Sequence, residues 1–220
     1  MAKVKRLETK AQPANWFETV TNECKRYPIY LVDIEQNELV VDIGANVGGF
    51  FEAWKNKFTN WIAVEPSAYN CEEYLKNTGR KVEVQKAAYK VSGDTLKLQA
   101  YKVDNDFDTP SGNFGVTGFI NDYNKHGWQG DYELVETISF EDLIGNGEIG
   151  LLKIDCEGAE YDFLMGKDLS KIKYIIGEFH NFLGGVKQME LFTHIKQTHE
   201  QIYSEGDGNK SHFVKLWKRK

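Results

Sequence analysis

The sequence predicts an α/β fold: a doubly wound, mostly parallel sheet of seven strands that closes in a C-terminal antiparallel hairpin. Three observations predict it. Short apolar runs alternate with segments of helical period through most of the chain, the pattern of a parallel sheet covered on both faces. The first clear run passes straight into a glycine-rich turn and then a helix-period stretch, a β-turn-α unit. The last stretch abandons that alternation for two runs flanking Gly206-Asp207-Gly208-Asn209, which suits a hairpin.

The elements follow in order. Glu38 to Ile43 reads as the first strand, and Val47, Phe50, Phe51, Trp54 and Phe58 recur at helical spacing after Gly44. Trp61 to Val64 is a second strand stopped by Glu65-Pro66; Cys71, Tyr74, Leu75 and Thr78 mark a helix face that Gly79 ends. Lys81 to Ala88 reads as the third strand. Thr95 to Tyr101 is a shorter one reached through Ser92-Gly93-Asp94. A strand ending at Thr137-Ile138 precedes a short helix, with Ser139 and Asp142 spaced as its capping pair. Ile149 to Cys156 is a buried strand, Glu157 to Met165 a short helix, Tyr174 to His180 another strand, and Met189, Phe192 and Ile195 the apolar face of a further helix. Gln201 to Glu205 and Phe213 to Trp217 form the hairpin. Five parallel strands and these two make seven.

At 220 residues the chain fits one domain, read here as residues 37–220 behind an N-terminal helical or irregular extension over 1–36. Residues 102–131 stand apart as an insertion, rich in glycine and aromatic side chains and without a period; loops that long are commonly functional. With 41% hydrophobic and 27% charged residues the composition is that of a globular protein, and no apolar run reaches the roughly 18 residues that span a bilayer. Cys24, Cys71 and Cys156 lack disulfide or zinc-knuckle spacing, and the basic start lacks a secretory signal, so a cytoplasmic setting is expected. A net charge of −6 argues against a broad nucleic-acid surface. Nothing in the sequence specifies an oligomeric state.

The motif Val41-Asp42-Ile43-Gly44-Ala45-Asn46-Val47-Gly48-Gly49-Phe50 lies where a strand turns into a helix, at the edge where ligands of open α/β sheets bind. A dinucleotide motif starting at Gly44 would need glycine where Asn46 stands, which disfavours a nicotinamide oxidoreductase; no Gly-Lys-Ser/Thr ending supports a nucleoside triphosphate. S-adenosylmethionine has no phosphate and needs glycine clearance with carboxylates for its ammonium and hydroxyl groups. Asp42 and Glu65 supply them, Glu65 falling near the offset at which an acidic side chain reaches a ribose. The expected cofactor residues are Asp42, Gly44, Asn46, Gly48 and Glu65.

The second motif is Leu151-Leu152-Lys153-Ile154-Asp155-Cys156-Glu157-Gly158-Ala159-Glu160. Alternation along the strand puts Lys153 and Asp155 on one face at the carboxyl edge, with Glu157 beyond them, and the next strand brings Glu178 and His180 to the same rim. Such a cluster can orient an acceptor hydroxyl and take its proton, and His180 is the side chain whose ordinary titration lies nearest neutrality. The expected catalytic residues are Lys153, Asp155, Glu157 and His180, with Glu160, Glu178, Tyr123 and Trp128 on the acceptor side. Hard cations favour carboxylates, but no ligand spacing demands a metal at Asp155, Glu157 and Glu178, so none is expected.

These pieces resemble the FkbM family of methyltransferases: VDIGANVGGF at 41–50, AVEPS at 63–67, TISFEDLI at 137–144, LLKIDCEGAE at 151–160 and IIGEFH at 175–180. The resemblance covers about two thirds of the chain, and it implies a Rossmann-like class I methyltransferase fold, S-adenosylmethionine as donor, and O-methylation of a sugar or small hydroxylated metabolite. By position it assigns Asp42, Gly44, Asn46 and Glu65 to the cofactor, and Asp155, Glu157, Glu160 and His180 to the acceptor. The segment 102–131 matches no family pattern. The competing expectations are an N-methyltransferase, although an Asn/Asp-Pro-Pro-aromatic signature is missing where Cys156-Glu157-Gly158 stands, and a cofactor-binding module without turnover.

Overall fold

The computed structural model of the protein describes residues 15–100, 117–119, 133–145, 147–180, 185–206 and 212–220. The strands in chain order are β1 (Leu39–Ile43), β2 (Asn60–Val64), β3 (Ala87–Ala88), β4 (Thr95–Ala100), β5 (Thr117–Phe119), β6 (Glu133–Ile138), β7 (Ile149–Ile154), β8 (Ile172–His180), β9 (His199–Glu205) and β10 (His212–Arg219). The α-helices are α1 (Trp16–Cys24), α2 (Gly49–Trp54), α3 (Ala68–Thr78), α4 (Phe140–Ile144), α5 (Glu160–Leu164) and α6 (Gly185–Thr198).

The main sheet has the order β2-β1-β7-β8-β10-β9. β2, β1, β7 and β8 run parallel, and β10 inserts antiparallel to both β8 and β9, so the hairpin closes the sheet as expected. Every residue of β7 is buried, as a central parallel strand covered on both faces must be. Alternate residues feed two cores. Val40, Leu151, Ile176 and Leu216 face one that includes Trp16 and Val20 of α1, Phe50 and Phe51 of α2 and Tyr74 of α3. Val41, Leu152, Ile175 and Trp217 face another that includes Phe163 and Leu164 of α5 and Leu191 and Ile195 of α6. Helices on both faces make the fold doubly wound, a mainly parallel Rossmann-like architecture.

The third strand differs from the expectation. Beyond β2 there is one parallel bridge, Val64 to Val84, and Ala87–Ala88 joins a second sheet of order β3-β6-β4-β5 instead. The cause is local: the Glu83 carboxylate accepts the Ala63 N–H of β2 at 2.8 Å, supplying from a side chain a bond that a further strand residue would have made. The second sheet also captures part of the predicted insertion, since Thr117–Phe119 pairs with the end of β4. Two helices start later than their apolar spacing implies. Gly44, Asn46 and Gly48 have positive φ, so α2 begins at Gly49; Glu157 and Gly158 have positive φ, so α5 begins at Glu160. The capping expectations hold: Ser139 Oγ accepts from Asp142 N, and Gly79 ends α3 in the left-handed region. Among the described residues no helix is long and apolar enough to cross a membrane.

Candidate active site

The carboxyl ends of β2, β1 and β7 meet where the chain leaves β1 toward β2 on one side and β7 lies on the other. That is the topological switch point at which open α/β sheets bind ligands. A cleft of about 700 Å³, its open mouth included, occupies the place. Gly44, Ala45 and Asn46 floor it, Glu65 and Pro66 form one wall, Asp155, Cys156 and Glu157 the opposite one, and Lys86 to Ala88 with Leu98 border it from the second sheet. Val20 and Cys24 of α1 complete it. Both residues belong to the stretch expected as a helical or irregular N-terminal extension. The signal was present: Trp16, Val20 and Cys24 repeat every fourth residue, one buried helix face.

The glycine turn is shaped by close packing. A Cβ on Gly44, whose φ is +75°, would lie 1.8 Å from the Asp155 carbonyl oxygen. Asn46 tolerates φ of 50° and points its N–H at Glu65 Oε2, 3.0 Å away. Glu65 also accepts from Ser67 N at 2.9 Å and Asn70 Nδ2 at 3.2 Å. Burial still outweighs these bonds and carries its carboxyl up to about 7. Gly48 lies outside the cleft lining; a Cβ there would meet the Thr78 methyl at 2.5 Å, so it serves the contact with α3.

Asp42 lies beneath the turn and also outside the lining, fully buried, 3.0 Å from the Lys153 ammonium. Lys153 donates to the carbonyl oxygens of Gly44 at 2.8 Å and Ile43 at 3.3 Å, and stands 4.0 Å from Asp155 Oδ2. Burial disfavours its charge, but Asp42 and Asp155 outweigh it and hold the ammonium well above its ordinary range. Burial raises the Asp42 carboxyl, an effect Lys153 partly offsets. The pair therefore ties β1 to β7 under the glycine turn, with Lys153 bordering the cleft.

Behind the Glu157 wall, outside the cleft lining, His180 collects three carboxylates, from the turn before α5, from α5 and from β8. Its Nδ1 lies 3.1 Å from Glu160 Oε1; its Nε2 lies 3.2 Å from Glu157 Oε2 and 3.7 Å from Glu178 Oε1. Glu160 is itself held by the backbone N–H groups of Cys156 and Gly158, which the positive φ of Glu157 and Gly158 turn toward it. Burial alone would push the imidazole down, but the hydrogen bond and charge of Glu160, with Glu157 and Asp155, carry it up to about 10. Glu157 and Glu178 are both raised, first by burial and then by crowding among like charges, with His180 opposing. Asp155, Glu157 and His180 each offer one ligand-capable atom within 4.8 Å of the others. A smaller cavity of about 250 Å³ between His180, Tyr161 and Lys187 adjoins on the α6 side. The structure thus brings Lys153, Asp155, Glu157, Glu160, Glu178 and His180 to one edge; Tyr123 and Trp128 lie outside the described residues.

The match to a family model decides the class: the methyltransferase FkbM domain over residues 42–204, more than half of the chain. The chain belongs to the FkbM methyltransferase family. This FkbM protein carries the matched segment from Asp42 through the glycine turn, Glu65 and His180 to β9, so both edges of the cleft fall inside the family region. No curated protein matches it. Solved structures similar to the FkbM protein include a ribosomal protein L11 methylase from Lactobacillus delbrueckii subsp. bulgaricus (11% identity, 96% of this chain and 90% of that chain, TM-score 0.47). A putative RNA methyltransferase from Pyrococcus horikoshii is similar at 12% identity, 99% and 94% coverage and a TM-score of 0.46. Magnesium protoporphyrin IX methyltransferase from Synechocystis PCC 6803, solved with bound SAM, is similar at 9% identity, 96% and 87% coverage and a TM-score of 0.45.

Proposed function

We propose that the protein is an S-adenosylmethionine-dependent O-methyltransferase whose acceptor is a hydroxyl of a sugar or another small metabolite. The observation that carries the reading is the set of acceptors in the cleft. Its walls present the carboxyl oxygens of Glu65, Asp155 and Glu157, which suit the ammonium and hydroxyl donors of that cofactor, while Lys153 is already engaged by Asp42 and the Gly44 carbonyl. Asn46, in the floor, keeps Oδ1 buried with no hydrogen-bond donor among the described residues, an acceptor that a ligand donor would satisfy. The residues present therefore fit the donor.

When bound, S-adenosylmethionine supplies a methyl group activated on a sulfonium. Glu65 would accept the ribose hydroxyls with its ionised carboxylate, and Gly44 would let backbone approach the ligand. Asp42 and Lys153 act indirectly, by pinning the turn that carries Gly44. At the rim His180 already holds its proton at neutral pH, so it orients rather than deprotonates. The acceptor proton passes to the Glu157–Glu178 pair, whose raised carboxyls bring proton affinity closer to neutrality, where a general base works best. Tyr123 and Trp128 complete the reading as acceptor contacts in the inserted segment, and the acceptor is taken to be neither membrane nor nucleic acid.

Calorimetric titration with S-adenosylhomocysteine tests the donor site. Micromolar binding by the wild type, lost in Glu65→Ala, supports it; no binding by folded wild type rejects the methyltransferase reading. Methyl transfer to a panel of sugars and phenols then separates turnover from donor binding alone, and transfer confined to amines would move the activity to nitrogen.

A further inference from the structure

We infer that the rim of this cleft is a binding site for one divalent metal ion, held by Asp155, Glu157 and the Nε2 atom of His180. The three donor atoms come from the end of β7, the turn before α5 and the end of β8, and they lie within 4.8 Å of one another. One imidazole nitrogen with two carboxylate oxygens is a set that first-row divalent ions accept, manganese and zinc among them.

What separates this cluster from a patch of surface acids is how the imidazole is backed. The His180 side chain is 5% exposed, and its Nδ1 meets the Glu160 side chain, 3% exposed, at 3.1 Å. Glu160 in turn accepts the Cys156 and Gly158 N–H groups at 3.1 and 3.2 Å. A carboxylate behind the far nitrogen of a histidine is the arrangement that fixes ring orientation and directs the other nitrogen to a metal. Here the directed nitrogen faces Glu157 Oε2, and Asp155 projects from the same cleft wall. The side chains of Asp155 and Glu157 remain 28% and 23% exposed, enough for an ion to enter and keep water ligands. Loading displaces the proton from Nε2, so binding weakens as pH falls.

An ion there would lie where the cleft meets the acceptor edge, so an acceptor with two adjacent oxygens could chelate it and have its hydroxyl acidified, leaving Glu178 as the carboxylate outside the metal set. That consequence rests on the proposed methyl-transfer reading; metal binding itself does not, and it is measured on the free protein without donor.

The test is electron paramagnetic resonance of Mn²⁺ titrated with metal-stripped full-length protein, in which bound ion loses the free six-line signal. One site per chain is expected, weakened at least about tenfold by Asp155→Asn and by Glu157→Gln, and about 10- to 100-fold by Glu160→Gln, which removes only the support of His180. Circular dichroism confirms that each variant is folded, and the partly exposed Asp155 keeps the test open if a change at Glu160 prevents folding. Folded wild type that retains no Mn²⁺ at millimolar concentration overturns the inference, as does binding unchanged in both Asp155→Asn and Glu157→Gln. Binding of methylammonium in place of Mn²⁺ also overturns it and assigns the rim to a cationic acceptor. In every such case the S-adenosylhomocysteine titration stands or fails by itself.

Discussion

Glu65 couples the fold to pH through one buried side chain, and in the proposed donor role it couples binding to pH as well. Its carboxyl is 4.5 in ordinary surroundings and about 7 in the folded protein, so the ligand-free fold holds this proton more tightly than the unfolded chain does. The stability tied to that proton is present below 4.5 and lost as pH rises through about 7. Ribose hydroxyls donate to the ionised form, so donor affinity should move the opposite way. The dissociation constant for S-adenosylhomocysteine is expected to fall about tenfold per unit as pH approaches 7 from below and to level off above it. Glu65→Gln, isosteric but without titration, should bind weakly with a flat profile; calorimetry from pH 5 to 8.5 reads both, and a wild-type profile as flat as the variant's would remove the ribose role. His180 carries the opposite lesson. Its residue type suggests a base near neutral pH, but three neighbouring carboxylates keep it protonated, an environment that no spacing in the sequence reveals.

At the scale of elements, α1 matters more than its place near the start of the chain suggests. Val20 and Cys24 line the cleft, and Trp54 of α2 donates its indole N–H to the Cys24 carbonyl at 3.1 Å, so the helix is fastened to the one that follows the glycine turn. A Cβ at Gly49 would lie 2.6 Å from Val20 Cγ1, which shows how closely the two helices approach. Donor binding should therefore tighten α1. Amide exchange of residues 16–24 is expected to slow at saturating S-adenosylhomocysteine, while exchange in β9, remote from the cleft, stays unchanged. Equal exchange in α1 with and without ligand would show that the helix merely borders the site. The elements that were legible in the sequence are those with strong local signals: β1 and its turn, α3 between Ser67 and Gly79, and the β9–β10 hairpin. In the third strand Val82 and Val84 look like strand residues, but the Glu83 side chain replaces a backbone partner and the pairing shrinks to one bridge.

For the whole molecule, the last strand locks the sheet. β10 lies between β8 and β9, and Trp217 is fully buried against Phe192 of α6, with ring centroids 5.8 Å apart. Trp217→Ala should cost about 3–5 kcal/mol, read as a lower urea midpoint with an unchanged slope. A loss below about 1 kcal/mol would mean that the closing hairpin adds little to the fold.

What the sequence by itself determined is the class of architecture, the order of its principal elements and the approximate place of the cleft. Local patterns encode these: alternation for strands, glycines where backbone turns sharply, and an acidic residue at a strand end. The tertiary structure decided which charges meet. Lys153 is 109 residues from the Gly44 carbonyl it binds, and Asp42 is buried beneath the turn and does not line the cleft. The same holds for the Glu160 carboxylate behind His180 Nδ1 and for the cover that α1 gives the cleft. Pairings of that kind depend on burial and on contacts between distant segments, and a side chain acquires its charge state only when folding has chosen its neighbours.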